Sequence, residues 1–147
     1  MSNSADLIAS AASSTLGELF HSVALAFPQR IALVDKERSL SYAELNERSS
    51  RLANYLIREG VEHGDRIAVL SKNRFEYFEI LLAAAKVGAV VAALSWRLRA
   101  GELAHCIALV EPVLIVVETD LVDALNEIDV NDKRVLLGES YERNLAQ

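Results

Sequence analysis

The residues of this chain that could do chemistry are few, and their spacing tests each one. Gly60 and Gly64 lie close together in GVEHGDR, where glycines could let backbone amides approach a phosphate. That run lacks the Gly-Lys-Ser/Thr ending of a P-loop and the GxGxxG spacing of a dinucleotide fold. Both therefore read as turn glycines. His105 and Cys106 are metal-ligand types, but neighbours on a helix point about 100° apart and do not readily share a metal. Cys106 reads as a small core hydrophobe and His105 as a surface or edge residue. Ser71 and Ser95 each follow a strand pattern, yet neither has a GxSxG elbow or an evident His and Asp partner. They read as loop or cap residues. Glu76, Glu79 and Glu102 could in principle supply an acid/base pair, but caps and solvated helix faces account for them better. No residue emerges as a catalyst.

The elements that would position such residues are legible from caps and periodicity. Thr15…Glu18, Ser41…Glu44 and Asn73…Glu76 share one signature, a short polar side chain capping free amides and a Glu three residues later reaching back. The first predicts a helix over Leu16–Phe27, ended by Pro28. IALVD and SLSY flank the charged turn Lys36-Glu37-Arg38, a hairpin signal weakened by the lack of Gly or Asn. Over 42–59, Leu45, Ser49, Leu52, Ala53 and Leu56 fall on one helical face, with Glu44–Arg48 and Glu47–Arg51 as i,i+4 pairs on the solvated side. Gly60 sits where a helix ends with φ > 0.

Gly64 to Leu98 then reads as strand RIAVLS, a helix over Arg74–Lys86, strand VVAAL and an Arg just past its end. ILLAAAKV is apolar nearly all round, so this helix must be covered on more than one side. Gly88 closes it. A helix over Glu102–Val110, the break at Pro112, strand VLIVVE, a last helix capped by Thr119 or Asp120 and running to about Ile128, and strand RVLL complete the pattern. Strands alternating with helices of this length imply right-handed crossovers, a mostly parallel sheet and helices on both faces, plus an N-terminal helix and β-hairpin. The fold class is α/β.

Composition sets the outer limits. The chain has 147 residues, 52% hydrophobic and 24% charged, with a net charge of −6, enough for a domain that hides roughly 68–70% of its unfolded surface. A nucleic-acid partner would need a basic stripe, and no Lys/Arg cluster provides one. With Cys106 the sole cysteine, an intrachain disulfide is excluded and the cytoplasm is the default compartment. The start MSNSADLIASAASS has neither the basic region nor the apolar run of a signal peptide, and nothing approaches the roughly 20 apolar residues of a membrane span. Residues 1–14 read as a loose tail and 15–147 as one α/β unit.

ALVDKERSLSYAELNERSSRLANYLIREGVEHGDRIAVLSKN, followed by LLAAAKVGAVVAALSWRLRAGELAHCI, resembles the N-terminal segment of the AMP-forming adenylating enzymes, which include acyl- and aryl-CoA synthetases, luciferases and peptide-synthetase adenylation domains. The resemblance spans about Leu16–Glu118, and LSWRL is similar to the Asn-Trp-Arg-Leu or Asn-Pro-Arg-Leu pattern of CoA-forming members. It implies part of the large N-terminal domain of an ATP-dependent carboxylic acid–CoA ligase, with ATP, Mg²⁺ and CoA as cofactors of the complete enzyme. In such enzymes a carboxylate attacks the α-phosphate of ATP, and CoA then displaces AMP. The Ser/Thr/Gly-rich phosphate loop, the ribose-binding Asp and the catalytic Lys of the family do not occur in these 147 residues. The chain is thus expected to be a partial domain truncated before the phosphate loop, inactive by itself, with no bound cofactor and a tendency to form homo-oligomers. The alternative is a stand-alone α/β binding or interaction module.

The resemblance also carries one site residue. In some CoA-forming relatives the Arg of this motif, here Arg97, lies near the CoA phosphates. A guanidinium can meet a phosphate with two parallel hydrogen bonds, and Arg97 falls beyond the carboxyl end of VVAAL, where open α/β sheets place ligands. The competing reading is a surface cation, Arg97 or Arg99, paired with Glu102. Ser95 stands where the family has Asn. Trp96 either packs against neighbouring structure or stacks on a ligand.

Overall fold

The computed structural model describes residues 12–35, 38–128 and 133–146. Most of the expected tail and Lys36-Glu37 of the hairpin turn lie outside the described residues. Helix α1 (Leu16–Ala26) starts at Thr15 and helix α2 (Tyr42–Arg58) at Ser41, each through a complete capping box. Strands β1 (Ile31–Asp35) and β2 (Arg38–Ser41) pair antiparallel as the hairpin between them.

The rest of the chain builds a four-stranded sheet from β3 (Arg66–Leu70), β4 (Val90–Leu94), β5 (Leu114–Glu118) and β6 (Arg134–Leu137), in the order β4-β3-β5-β6. All three pairings are parallel. The helices between the strands are α3 (Phe75–Val87), α4 (Ala100–Val110) and α5 (Val122–Asn126), and α6 (Glu139–Leu145) follows β6.

The period of two along the strands sorts their side chains between two cores. Ile67, Val69, Leu114, Val116, Val135 and Leu137 face Leu52, Leu56, Ile80, Ala83, Tyr141 and Leu145, so α2, α3 and α6 cover one side. Ala68, Leu70, Leu94, Ile115 and Val117 face Leu103, Ile107 and Leu125, so α4 and α5 cover the other. Helices on both faces of a parallel sheet match the expected class. Burial on α2 falls on Leu45, Ser49, Leu52, Ala53 and Leu56, the face its periodicity marks. The apolar α3 is covered by the sheet on one side and by α2 and α1 on others, leaving Phe78 and Leu81 partly open. Gly17 brings α1 against Ala85 and Lys86 of α3.

Several local expectations need correction. Asn73 does not cap α3: the cap position is Arg74, without a side-chain cap bond, because Arg74 and Glu76 bind each other instead. Thr119 and Asp120 cap no long helix. They lie in a 3₁₀ turn (Thr119–Leu121), and the Thr119 hydroxyl donates to the Leu137 carbonyl at 2.7 Å, tying β5 to β6. Helix α6 carries no strong sequence signal, being short and mostly polar. Glu47–Arg51 forms as expected, but Arg48 turns away from Glu44 toward partners on other helices.

Gly60 and Gly88 hold positive φ of 85° and 81°. A Cβ on Gly60 would meet open space, whereas one on Gly88 would collide with the His63 ring. Gly60→Ala should cost only backbone strain, about 1–2 kcal/mol, and Gly88→Ala should cost more. Urea unfolding of the two variants checks this; equal losses would show that the His63 contact is immaterial.

Candidate functional site

Because all four strands run parallel, their carboxyl ends share one edge, the edge at which open α/β sheets hold ligands. The chain leaves β3 for α3 on one face, and leaves the neighbouring β5 for α5 on the other. The crevice between the loops after β3 and β5 is therefore the topological switch point. Glu118, the last residue of β5, fills it. Its carboxylate accepts from the Lys72 amide at 2.8 Å and the Ser71 hydroxyl at 3.2 Å, and pairs with Arg74 at 3.5 Å. Arg74 in turn grips Glu76 through two bonds of 3.0 and 3.1 Å. Burial pushes the Glu76 carboxyl up, but Arg74 outweighs it, so Glu76 is held below the usual carboxylate range. Glu76 raises the Arg74 guanidinium in return. Both glutamates are buried at 8–9% exposure, so Glu76 is not on the solvated face expected of it.

A cleft of about 400 Å³ opens outside this knot, lined by Asp35, Arg38, Lys72, Asn73, Arg74, Phe75, Glu76 and Glu118. Its acids and bases are equal in number, and the two buried acids are already paired. A triphosphate has no surplus of positive charge to meet there. Among the described residues no group of three or more His, Cys, Asp or Glu could hold a metal ion.

Positive charge stands free one strand further along. Arg97 lies beyond β4, exposed, with its guanidinium carbon 4.3 Å from the Trp96 ring centroid. It does not pair with Glu102, whose carboxylate accepts from the Arg99 amide at 3.0 Å as a cap. Trp96 is 40% exposed, so its ring is partly covered and partly open to solvent. Lys72 approaches the same ring to 5.8 Å and reaches Asp120 at 4.0 Å. Lys72 drew no attention in the sequence; an isolated lysine after a strand has no distinguishing pattern. Ser95 braces the turn, accepting from the Arg97 amide at 3.4 Å. His105 is exposed and Cys106 packs against the α4–α5 core.

The sequence model of a family described as AMP-binding enzyme matches residues 20–145. The chain belongs to that family. A 3-oxocholest-4-en-26-oate–CoA ligase of Rhodococcus rhodochrous is 34% identical over 106 residues, 72% of this chain and 18% of that protein. A fatty acid–[acyl-carrier-protein] ligase of Streptomyces coeruleorubidus is 33% identical over 116 residues, 78% of this chain and 22% of that protein. The chain thus spans about a fifth of the length of these curated relatives. A solved fatty acyl CoA synthetase of Mycobacterium tuberculosis shares the fold, with TM-score 0.84 at 23% identity over 90% of this chain and 28% of its own. The N-terminal domain of FACL13 from the same organism does likewise, with TM-score 0.82 at 24% identity over 90% of this chain and 36% of its own. The resemblance to adenylating enzymes is borne out, as is the fold.

Glu79 is the clearest departure from the sequence reading. It is fully buried rather than solvated. Its oxygens accept from Arg48 at 2.6 and 3.1 Å and from the Tyr141 hydroxyl at 2.8 Å, while Arg48 also binds Glu142 at 2.6 and 3.0 Å. Glu142, then burial in opposition, then Glu79 set the Arg48 guanidinium, which ends above its ordinary range. The Glu79 carboxylate at the centre of this cluster is fully buried and held by Arg48 and Tyr141, which gives the cluster a structural role. Burial first, and the Glu79 charge second, raise the Tyr141 phenol well above its usual value. A phenol raised in the folded state adds stability that is intact below the unfolded pKa, about 10, and is lost as pH climbs through the folded one. Tyr141→Phe should therefore cost about 2 kcal/mol at pH 7 and flatten the loss of stability above pH ~10. Denaturant titrations from neutral to alkaline pH read both effects; an unchanged alkaline slope would remove Tyr141 from the account. Half-buried Tyr55, raised by the same desolvation, supplies the residual slope.

Proposed function

We propose that residues 15–147 form the N-terminal α/β portion of an ATP-dependent carboxylic acid–CoA ligase, which joins an acid to CoA through an acyl-adenylate and releases AMP and pyrophosphate. The observation that carries this reading is the AMP-binding enzyme match over residues 20–145, together with relatives named as ligases of fatty and sterol-derived acids. A fatty or similarly apolar acid is the substrate class those names favour. ATP with Mg²⁺ supplies the adenylyl group that activates the carboxylate, with pyrophosphate leaving, and the CoA thiol then displaces AMP.

In this reading the chain contributes scaffold and one ligand contact. Strands β3 and β4 and helix α3 brace the ligand-bearing edge, and Arg97 meets the phosphates of CoA in the complete enzyme, its N–H donors paired with phosphate oxygens. Among the described residues no helix is long and apolar enough to cross a membrane, and Cys106 is the sole cysteine; both agree with a cytoplasmic setting. The 147 residues alone do not adenylate. With an acid, ATP, Mg²⁺ and CoA they should release no pyrophosphate above background, and sustained turnover would overturn this.

The isolated chain also self-associates. Strand β4 ends the sheet with five apolar residues and no charge, proline or bulge to discourage pairing, and Val90 is 54% exposed. An edge of that kind favours association. Sedimentation should find a dimer or larger species, and a sharp monomer at high concentration would refute it.

A further inference from the structure

We propose that Lys72, Trp96 and Arg97 together form a docking site for a ligand bearing linked phosphate groups, with Lys72 as a second cation beside Arg97. This rests on the reading of Arg97 as a phosphate contact and extends it to a residue on a different loop, the one after β3.

Three observations converge. The first is charge. In a chain of net charge −6, Arg97 makes no ion pair among the described residues, its one close partner being the Trp96 ring. Lys72 has only Asp120, at 4.0 Å with side chains 45% and 76% exposed, a contact worth little in water. Both cations are free to exchange their present partners for a phosphate.

The second is preorganisation. Lys72 is exposed at its tip, yet its backbone is fixed: its amide donates to buried Glu118, and the adjacent Ser71 hydroxyl donates to the same carboxylate. Arg97 stands on a turn braced by the Leu98 amide donating to the Ser95 carbonyl at 3.2 Å. The two side chains thus leave fixed points beyond β3 and β4, which are paired in register from Arg66–Val90 to Leu70–Leu94.

The third is the ring. Trp96 gathers both cations within the range of cation–π attraction, 5.8 Å for Lys72 and 4.3 Å for Arg97. A guanidinium resting over a ring still has N–H donors in its own plane, and these are the donors a phosphate engages bidentately. Lys72 offers a point charge to a neighbouring phosphoryl group. Two cations on two loops suit two linked phosphates better than a single one.

Trp96 is the sole tryptophan, so its emission reports on this site without labelling. The chain should be titrated with inorganic pyrophosphate and with orthophosphate at low salt. A saturable change in emission is expected with pyrophosphate and a weaker one with orthophosphate. Lys72→Ala should weaken pyrophosphate binding roughly threefold, Lys72→Arg should restore it, and Arg97→Ala should weaken it about tenfold. Both side chains are exposed, and far-UV circular dichroism confirms that each variant is folded. No saturable response, or Lys72→Ala binding as the parent does, overturns the proposal. A second arm compares CoA with pantetheine, which lacks the diphosphate bridge and the nucleotide. Saturable CoA binding that Lys72→Ala weakens, with no response to pantetheine, supports the site and the CoA reading together. No response to CoA, with the pyrophosphate response and its Lys72 dependence intact, sinks the CoA reading and leaves the phosphate site standing.

Discussion

A carboxylate placed where no water reaches it governs how three helices sit on this sheet. Glu79 of α3 has no exposed surface, and an isolated buried carboxylate would cost several kcal/mol. It is tolerated because Arg48 of α2 and Tyr141 of α6 complete its hydrogen bonding, and Glu142 occupies the far side of the same guanidinium. The apolar contacts of α2, α3 and α6 hold them to the sheet without fixing how far each slides. The Glu79 cluster fixes that, since a shift of any one helix would strand a buried charge.

The ligand-bearing edge repeats the device. Glu118 would be an uncompensated charge at the end of β5 were it not for Ser71, the Lys72 amide and Arg74. By satisfying Glu118, the loop after β3 becomes rigid and the switch point closes. Polar groups that might have served a ligand are consumed internally. Free positive charge is displaced one strand over, to the Lys72–Trp96–Arg97 group. Among the described residues Glu76, Glu79 and Glu118 are buried acids with structural duties, while Lys72 and Arg97 stay exposed.

Lys86 shows the same economy on α3. It donates to Asn46 and to the Ser49 and Ser50 hydroxyls at 2.8–3.0 Å, and burial lowers its ammonium from the usual value. Ser49, unremarkable on an apolar helical face, owes its full burial to that lysine. Together with the close approach at Gly17, this seats α1, α2 and α3 as a stack that leaves the opposite end of the sheet to the ligand edge.

What the sequence determined by itself was local. The capping boxes at Thr15 and Ser41, the positive-φ glycines Gly60 and Gly88 and the buried stripe of α2 depend on residues three or four apart or on a single backbone conformation, and each was legible. The alternation of strands and helices likewise implied the parallel sheet, because parallel neighbours need a crossover. What only the tertiary structure decided was the fate of charge. Glu79 meets Arg48 across 31 positions and Tyr141 across 62, and Glu118 meets Lys72 across 46. The pair Glu44–Arg48 fitted a local rule and lost to those distant partners, since a buried ion gains far more from a complete shell of donors than an exposed pair gains in water, whereas Asn73…Glu76 lost to the nearer Arg74. Lys72 joins Trp96 and Arg97 for a related reason: parallel pairing brings the ends of β3 and β4 side by side, and no linear spacing records that neighbourhood.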